Sequence, residues 1–158
     1  MIEIRPLVAE DWPSVEAIFA EGIAARSATF EIEPPTYPEF DSSHHAGHRL
    51  VAVRDGRVVG WAALAPTSMR ACYSGVAESS VYVAERARAS GVGRTLMTAL
   101  IAGAREDGIW SIRAGMFPEN TASVALHESL GFRLVGRFER IAQLDGVWRD
   151  TILLELRL

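Results

Sequence analysis

Arg88, Gly91 and Gly93 stand at an Arg-x-x-Gly-x-Gly spacing inside the stretch that runs from Ser80 to Met97. The β-branched and aromatic run at its start, through Val81, Tyr82 and Val83, reads as a strand. A polar turn follows, and an apolar period at Val92, Leu96, Ala99, Leu100 and Gly103 reads as a helix. Strand, glycine loop and helix in that order aim main-chain N–H groups at an anion, because the first helical turn has unpaired donors and a partial positive charge. A phosphate or pyrophosphate over Ala89, Ser90, Gly91, Val92, Gly93 and Arg94 is the expected guest. An ordinary helix start with permissive glycines is the competing reading.

Spacing separates this loop from two commoner phosphate loops. A P-loop places a glycine five residues before Gly-Lys-Ser/Thr, but Arg88 occupies that place and Arg94 stands for the lysine. A dinucleotide fingerprint needs a third glycine three residues after the second, where this chain has Leu96.

The elements that must position the loop are legible from pattern. Ile2 to Arg5 reads as a strand. Asp11 is the expected cap of a helix with Pro13 in its first turn and Val15, Ile18, Phe19 and Ile23 on one face. Thr36 and Glu39 form a capping box for a short second helix. Arg49 to Val53 and Val58 to Ala65 are strands joined by an Asp55-Gly56 hairpin turn. Gly75 to Val83 is the strand that feeds the loop, and the major helix runs from about Gly91 to Asp107 with Gly108 at its C′ position. Ser111 to Met116 is a strand. A helix opening at Pro118-Glu119-Asn120 is apolar at Val124, Leu126 and Leu130 and ends at Gly131. Two last strands, near Arg133 to Ile141 and Arg149 to Leu158, flank Asp145-Gly146. The order is mixed α/β without repeat, linker or low-complexity tract.

A chain of 158 residues with 49% hydrophobic content has the size of one domain, residues 1–158, and can bury a sizeable core. There is no apolar run of membrane-spanning length, and the start Met1-Ile2-Glu3-Ile4-Arg5 has no signal-peptide pattern. The cytoplasm is the expected location, which the single cysteine, Cys72, suits. A net charge of −4 and a pI near 5.6 argue against a nucleic-acid partner. His44, His45 and His48 invite a metal reading, but Gly47 breaks the helix that would align them and no carboxylate or cysteine completes the set. No metal is expected. Trp12, Trp61, Trp110 and Trp148 read as core or interface residues, and Cys72 as a small buried hydrophobe.

The loop resembles the acetyl-CoA pyrophosphate loop of the GNAT N-acetyltransferase superfamily, and almost the whole chain is similar to that family's phosphinothricin and methionine sulfoximine acetyltransferase branch. The resemblance is carried by Thr29-Phe30-Glu31, Asp55-Gly56 with Gly60, Arg70 and Tyr73, Ala77-Glu78-Ser79-Ser80-Val81-Tyr82-Val83, Gly91-Val92-Gly93, Asn120, Ser123 to Glu128, Gly131-Phe132, and Gly146 to Asp150. Departures lie in a shorter segment before Arg49, in Leu144 where lysine is common, and in Cys72 where alanine is common. They bear on the substrate entrance and not on the cofactor site.

What the resemblance implies is a mixed, mostly antiparallel sheet, splayed at a bulge and flanked by about four helices, with acetyl-CoA as co-substrate. Its pantetheine arm would insert like an added strand beside Val81, Tyr82 and Val83, one of whose N–H groups polarises the acetyl carbonyl. Glu78 matches the catalytic glutamate that takes the proton from the substrate ammonium. Its ordinary pKa of about 4.3 calls for burial to raise it toward neutrality. His127 matches a histidine proposed to assist near pH 7, with a structural role equally open. Asn120 is the expected partner of the pantetheine arm, or a helix cap, or both, and Ser129 approaches from the same helix. Phe30, Arg70, Cys72 and Tyr73 are the expected acceptor-pocket residues, Arg70 to hold a carboxylate. The implied reaction is direct acetyl transfer to the α-amine of a small amino-acid-like substrate, in a homodimer whose contact involves Phe30 and Trp148. A non-catalytic acyl-CoA-binding protein, or an acetyltransferase for proteins and peptides, are the alternatives.

Overall fold

The computed structural model describes residues Met1–Leu158. Seven strands form one sheet: β1 (Glu3–Pro6), β2 (Arg49–Arg54), β3 (Arg57–Pro66), β4 (Val76–Val83), β5 (Ser111–Met116), β6 (Arg133–Leu144) and β7 (Val147–Arg157). Four helices accompany them: α1 (Trp12–Ala24), α2 (Tyr37–Ser43), α3 (Val92–Glu106) and α4 (Thr121–Ser129). The strand order is β1-β2-β3-β4-β5-β7-β6, antiparallel throughout except for the parallel pair β4–β5. No helix is long and apolar enough to cross a membrane.

The punctuation read from sequence does its work locally. Asp55 and Gly56 both take positive φ in the β2–β3 turn, and Asp145 and Gly146 repeat that geometry between β6 and β7. Thr36 and Glu39 close a reciprocal capping box at α2. Gly108 and Gly131 adopt the left-handed conformation just past α3 and α4. Asp11 differs from expectation. Its carboxylate turns backward to the Val8 N–H at 2.9 Å and to the Arg5 guanidinium at 2.7 and 2.8 Å, so it ties β1 to the entry of α1 and caps no forward donor. The Arg5 hydrogen bond holds the Asp11 carboxyl below the usual carboxylate range.

One core of buried residues joins both faces of the sheet to the helices. Val15, Ile18, Phe19 and Ile23 bury the predicted face of α1; on α3 the expected Val92, Leu96 and Leu100 are buried, but Met97, Ile101 and Ala104 complete the face while Ala99 and Gly103 are half-buried. The central strand β3 is buried from Val58 to Leu64, which fits a strand covered on both sides. Trp61 is fully buried and Trp12 nearly so, whereas Trp110 and Trp148 lie exposed. α4 departs from its expected pattern: Val124, Leu126 and Leu130 are half-buried and its one buried residue is His127. Of the three clustered histidines, His44 ends α2 with Nδ1 on the Phe40 carbonyl, and His48 reaches Asp107 at 3.2 Å. They share no helical face.

Gly22 has a packing duty that sequence did not announce. A Cβ at this position would lie 2.6 Å from the Tyr82 ring, and that ring is stacked at 4.9 Å on both Phe19 and Trp61. Helix propensity alone favours Gly22→Ala by about 1 kcal/mol, but the overpacking costs roughly 1–3 kcal/mol. The expected outcome is a lower thermal midpoint for Gly22→Ala; a raised midpoint in a thermal melt would show that the ring yields without cost.

Candidate functional site

The β4–β5 ladder holds only at Val76↔Ser111, Ala77↔Ile112 and Glu78↔Arg113, while β4 stays paired with β3 in unbroken register as far as Val83. Beyond Glu78 the two strands part, and the parting itself opens the sheet. The Ala84 N–H donates to the Val59 carbonyl across on β3. Alternation along the strand therefore turns the main-chain groups of Tyr82 toward β3 and those of Val81 and Val83 toward the open side. They form an edge that can pair with an extended ligand.

At the far end of this edge lies the glycine loop. Ala89 and Gly91 have left-handed φ values of 56° and 86°, with Ser90 between them outside that region. Such alternation makes successive N–H groups converge. The N–H groups of Ala89, Ser90 and Gly91 meet no main-chain acceptor, and those of Val92, Gly93 and Arg94 are first-turn donors of α3; Thr95 is the first to find a partner, on the Gly91 carbonyl. A Cβ on Gly91 would meet no protein atom within 4 Å, so its space opens outward, whereas a Cβ on Gly93 would press Leu126 of α4 at 3.2 Å. Glycine therefore serves conformation at one position and helix approach at the other. Both line a groove of about 500 Å³, with Val81, Tyr82, Val83, Arg88, Ala89, Val92, Arg94 and Asn120.

A smaller cavity of about 150 Å³ adjoins this groove through Val81, Tyr82, Asn120 and Ser123 and is lined by both Glu78 and His127. The two reach it from different faces. Glu78, Ser80 and Tyr82 share one face of β4 by the two-residue period, the face of Phe19 and Trp61. Leu126 of α4 and Val83 both approach Gly93, so α4 lies on the opposite face with α3. His127 is 3% exposed, and its Nδ1 lies 2.7 Å from the Ser123 carbonyl. A carbonyl only accepts, so Nδ1 carries the proton and Nε2 keeps its lone pair free of any protein partner. Burial pushes this imidazole below its ordinary range, with the Ser123 bond opposing. It is neutral near pH 7. Burial likewise pushes the Tyr82 phenol up.

Several expected site residues stand elsewhere. Glu78 is exposed, which corrects the expectation of a buried carboxylate: α1 packs on this face of β4 at Tyr82 and leaves the Glu78 end open to the smaller cavity. Cys72 is exposed and is not a core residue. It lies with Arg70 and Tyr73 on the β3–β4 loop, where the Arg70 guanidinium sits 5.5 Å from the Tyr73 ring centre, and none of the three lines the cavity of Glu78 and His127. Ser129 does not line the groove and accepts from Arg94 at 2.6 Å, and the Ser90 side chain bonds Ala87 and Arg54, so Ser90 offers the loop only its N–H. Asn120 caps α4 through Ser123 and lines both cavities, so its two expected roles are compatible. Phe30 is half-buried, edge-on to Phe117 at 4.9 Å, outside both cavities. Thr29, Ser80, Gly115 and Met116 line the smaller cavity, and only Thr29 and Ser80 fell inside motifs that sequence singled out.

Several known proteins resemble this chain in sequence and in fold. The chain is 35% identical to a phosphinothricin N-acetyltransferase of Alcaligenes faecalis, over 96% of this chain and 80% of the relative. It is 30% identical to an L-methionine sulfoximine/L-methionine sulfone acetyltransferase of Pseudomonas aeruginosa, over 98% and 94%. Among solved structures, a ribosomal-protein-alanine N-acetyltransferase from Brucella melitensis superposes with a TM-score of 0.91 at 33% identity, covering 99% of each chain. A phosphinothricin acetyltransferase from Sinorhizobium meliloti in complex with acetyl-CoA superposes with a TM-score of 0.90 at 29% identity, over 99% and 88%. The family model for acetyltransferases matches residues 6–132, and on these grounds the chain belongs to the acetyltransferase (GNAT) family.

Proposed function

We propose that this protein transfers acetyl from acetyl-CoA to the α-amine of a small amino-acid-like acceptor of the phosphinothricin or methionine sulfoximine type. The observation that carries this reading is the cavity of about 150 Å³ in which Glu78 and His127 meet beside the groove of the glycine loop. Unpaired donors from Ala89 to Arg94 suit a pyrophosphate, and the open main-chain edge of Val81 and Val83 suits a pantetheine arm. Acetyl-CoA supplies the acetyl group as an activated thioester. The acceptor reaches the cavity as an ammonium, and Glu78 takes its proton, directly or through water, so that nitrogen has a lone pair for attack. An N–H on the Val81 or Val83 edge steadies the carbonyl oxygen as the N–C bond forms; the C–S bond then breaks with its electron pair on sulfur, and the proton shed by the attacking nitrogen goes to the CoA thiolate, which leaves as the free thiol. From the other face, neutral His127 offers Nε2 as a proton acceptor and relay. The small volume favours a free amino acid over a peptide. A protein N-terminus is the second reading, favoured by the likeness to the Brucella enzyme. Release of CoA thiol, followed over amino acids, sulfoximine and sulfone analogues, and peptides ending in alanine, separates the two.

The chain is also proposed to act as a homodimer. Leu134, Val135, Phe138, Ile141, Val147 and Trp148 are all exposed on the β6–β7 hairpin, and β6 is the last strand of the sheet. A concentrated apolar patch on an unpaired edge calls for cover.

Gly91→Val forces a branched residue into a left-handed backbone and sets its side chain in the groove, so acetyl-CoA affinity is expected to fall about tenfold or more. Calorimetric titration checks this, and equal affinities would remove the loop from the binding site. Glu78→Gln keeps shape and removes the base, so turnover should drop roughly 10²–10⁴-fold with acetyl-CoA affinity retained. Because burial lowers the His127 pKa, any rate loss from its protonation has its midpoint on the acid side of the ordinary imidazole range; that loss should be absent from the pH profile of His127→Gln. For the assembly, wild type is expected at twice the monomer mass at micromolar concentration and Phe138→Glu/Trp148→Glu at the monomer mass. A monomeric wild type in light scattering would end the dimer reading.

A further inference from the structure

Arg149 of β7 is outside both cavities, yet it touches two of the segments that line the smaller one. Its guanidinium carbon lies 4.0 Å from the centre of the Phe117 ring. One nitrogen donates to the Arg26 carbonyl at 3.3 Å, and the other pairs with Glu119 at 3.5 Å. The side chain is only 20% exposed, and Phe117 beneath it is buried and meets Phe30 edge-on. One planar cation thus joins the chain after α1, the turn between β5 and α4, and the outer hairpin. Ala28 and Thr29 lie between Arg26 and Phe30, and Met116 and Asn120 bracket the turn from Phe117 to Glu119; all four line the smaller cavity.

We infer that Arg149 is a positioning residue for acetyl transfer: it sets the acceptor-side wall of the cavity through Phe117, Glu119 and the Arg26 carbonyl, without touching substrate. The inference rests on the proposed acetyltransferase reading for its kinetic consequences but not for its structural ones. A guanidinium is suited to the task because it stacks flat on a ring while its edges hydrogen-bond in fixed directions. Lysine keeps the charge for Glu119 but offers neither the plane nor the fork. The nearby Arg26–Asp145 pair at 3.2 Å joins the same hairpin to the same loop from outside, without contact to Phe117, and supplies the control.

The test compares Arg149→Lys, Arg149→Met and Asp145→Asn with wild type in two ways. In hydrogen–deuterium exchange, both Arg149 variants should exchange faster in residues 26–31 and 116–121 and as wild type in 88–95, whereas Asp145→Asn should change neither stretch. In kinetics with the acceptor found by the thiol screen, kcat/KM for the acceptor should fall roughly 10–100-fold in the Arg149 variants, as expected for wall residues misplaced by about 1 Å, with acetyl-CoA affinity within about threefold. If Arg149→Met does not fold, Arg149→Lys decides. Unchanged exchange in the two stretches overturns the inference whatever the acceptor proves to be. An equal effect of Asp145→Asn, or a parallel loss of acetyl-CoA affinity, also overturns it, since either marks general loosening. A wild type inactive on every acceptor counts against the proposed reaction, while the exchange data still judge Arg149.

Discussion

The whole arrangement depends on a parallel ladder that stops early. β4 and β5 pair only through Glu78 and Arg113, then separate, while β4 keeps its partner on the other side. A strand buried in a sheet normally satisfies both rows of main-chain groups. Here the row at Val81 and Val83 is left open, flanked by the groove and the smaller cavity. The parting lets residues on opposite faces of the sheet serve one space: Glu78 belongs to the face of α1 and His127 to the face of α4, and a closed sheet would keep them apart. Glu78 is exposed for a separate reason: α1 covers its face of β4 at Tyr82 and leaves this end bare.

The surrounding core keeps the opening from collapsing. Phe19, Trp61 and Tyr82 stack within 5.5 Å of one another on one face, and Gly22 lets α1 approach that stack. On the other face Gly93 lets α4 close on α3 through Leu126. Each glycine trades a side chain for a close approach, and together they set the separation of the layers around the splay. A stacked aromatic cluster is well suited to this task because its rings are stiff and its area large. Tyr82 contributes twice, its ring to the stack and its strand to the groove wall.

Electrostatics in this chain act through position more than through net charge. Several arginines near the site are spent on structure, Arg94 on Ser129, Arg54 on Ser90, Arg86 on the Val58 carbonyl, and Arg149 on Phe117, Glu119 and Arg26, whereas Arg88 lines the groove without a protein partner. At the loop, the Arg88 guanidinium and the main-chain donors from Ala89 to Arg94 are both left free of protein acceptors. On the outer hairpin, Asp150 accepts from the Arg140 N–H at 2.7 Å and pairs with Arg137, which holds a left-handed residue in the irregular stretch of β6 and lowers the Asp150 pKa. These surface pairs contribute little to stability one by one, being screened by water. Their value is in fixing a strand whose register shifts between Phe138 and Ala142.

Features that depend on a few neighbouring residues were determined by sequence alone. The Asp-Gly turns, the capping box at Thr36, the left-handed glycines after α3 and α4, the apolar face of α1 and part of that of α3, and the glycine turn that opens α3 all follow from side chains within a turn or two of each other. Backbone preference and helical or strand period act at that range. Tertiary structure decided everything that depends on which distant segment lies alongside. The exposure of Glu78 follows from where α1 stops covering β4, the burial of His127 from how α4 meets its neighbours, and the outward place of Arg70, Cys72 and Tyr73 from the path of a loop. Asp11 offered a cap by its type and position, but Arg5 on the adjacent strand drew its carboxylate the other way. Arg149 and Phe117 carry no local pattern that would pair them, because a cation and a ring far apart in the chain meet only when the fold brings their strands together.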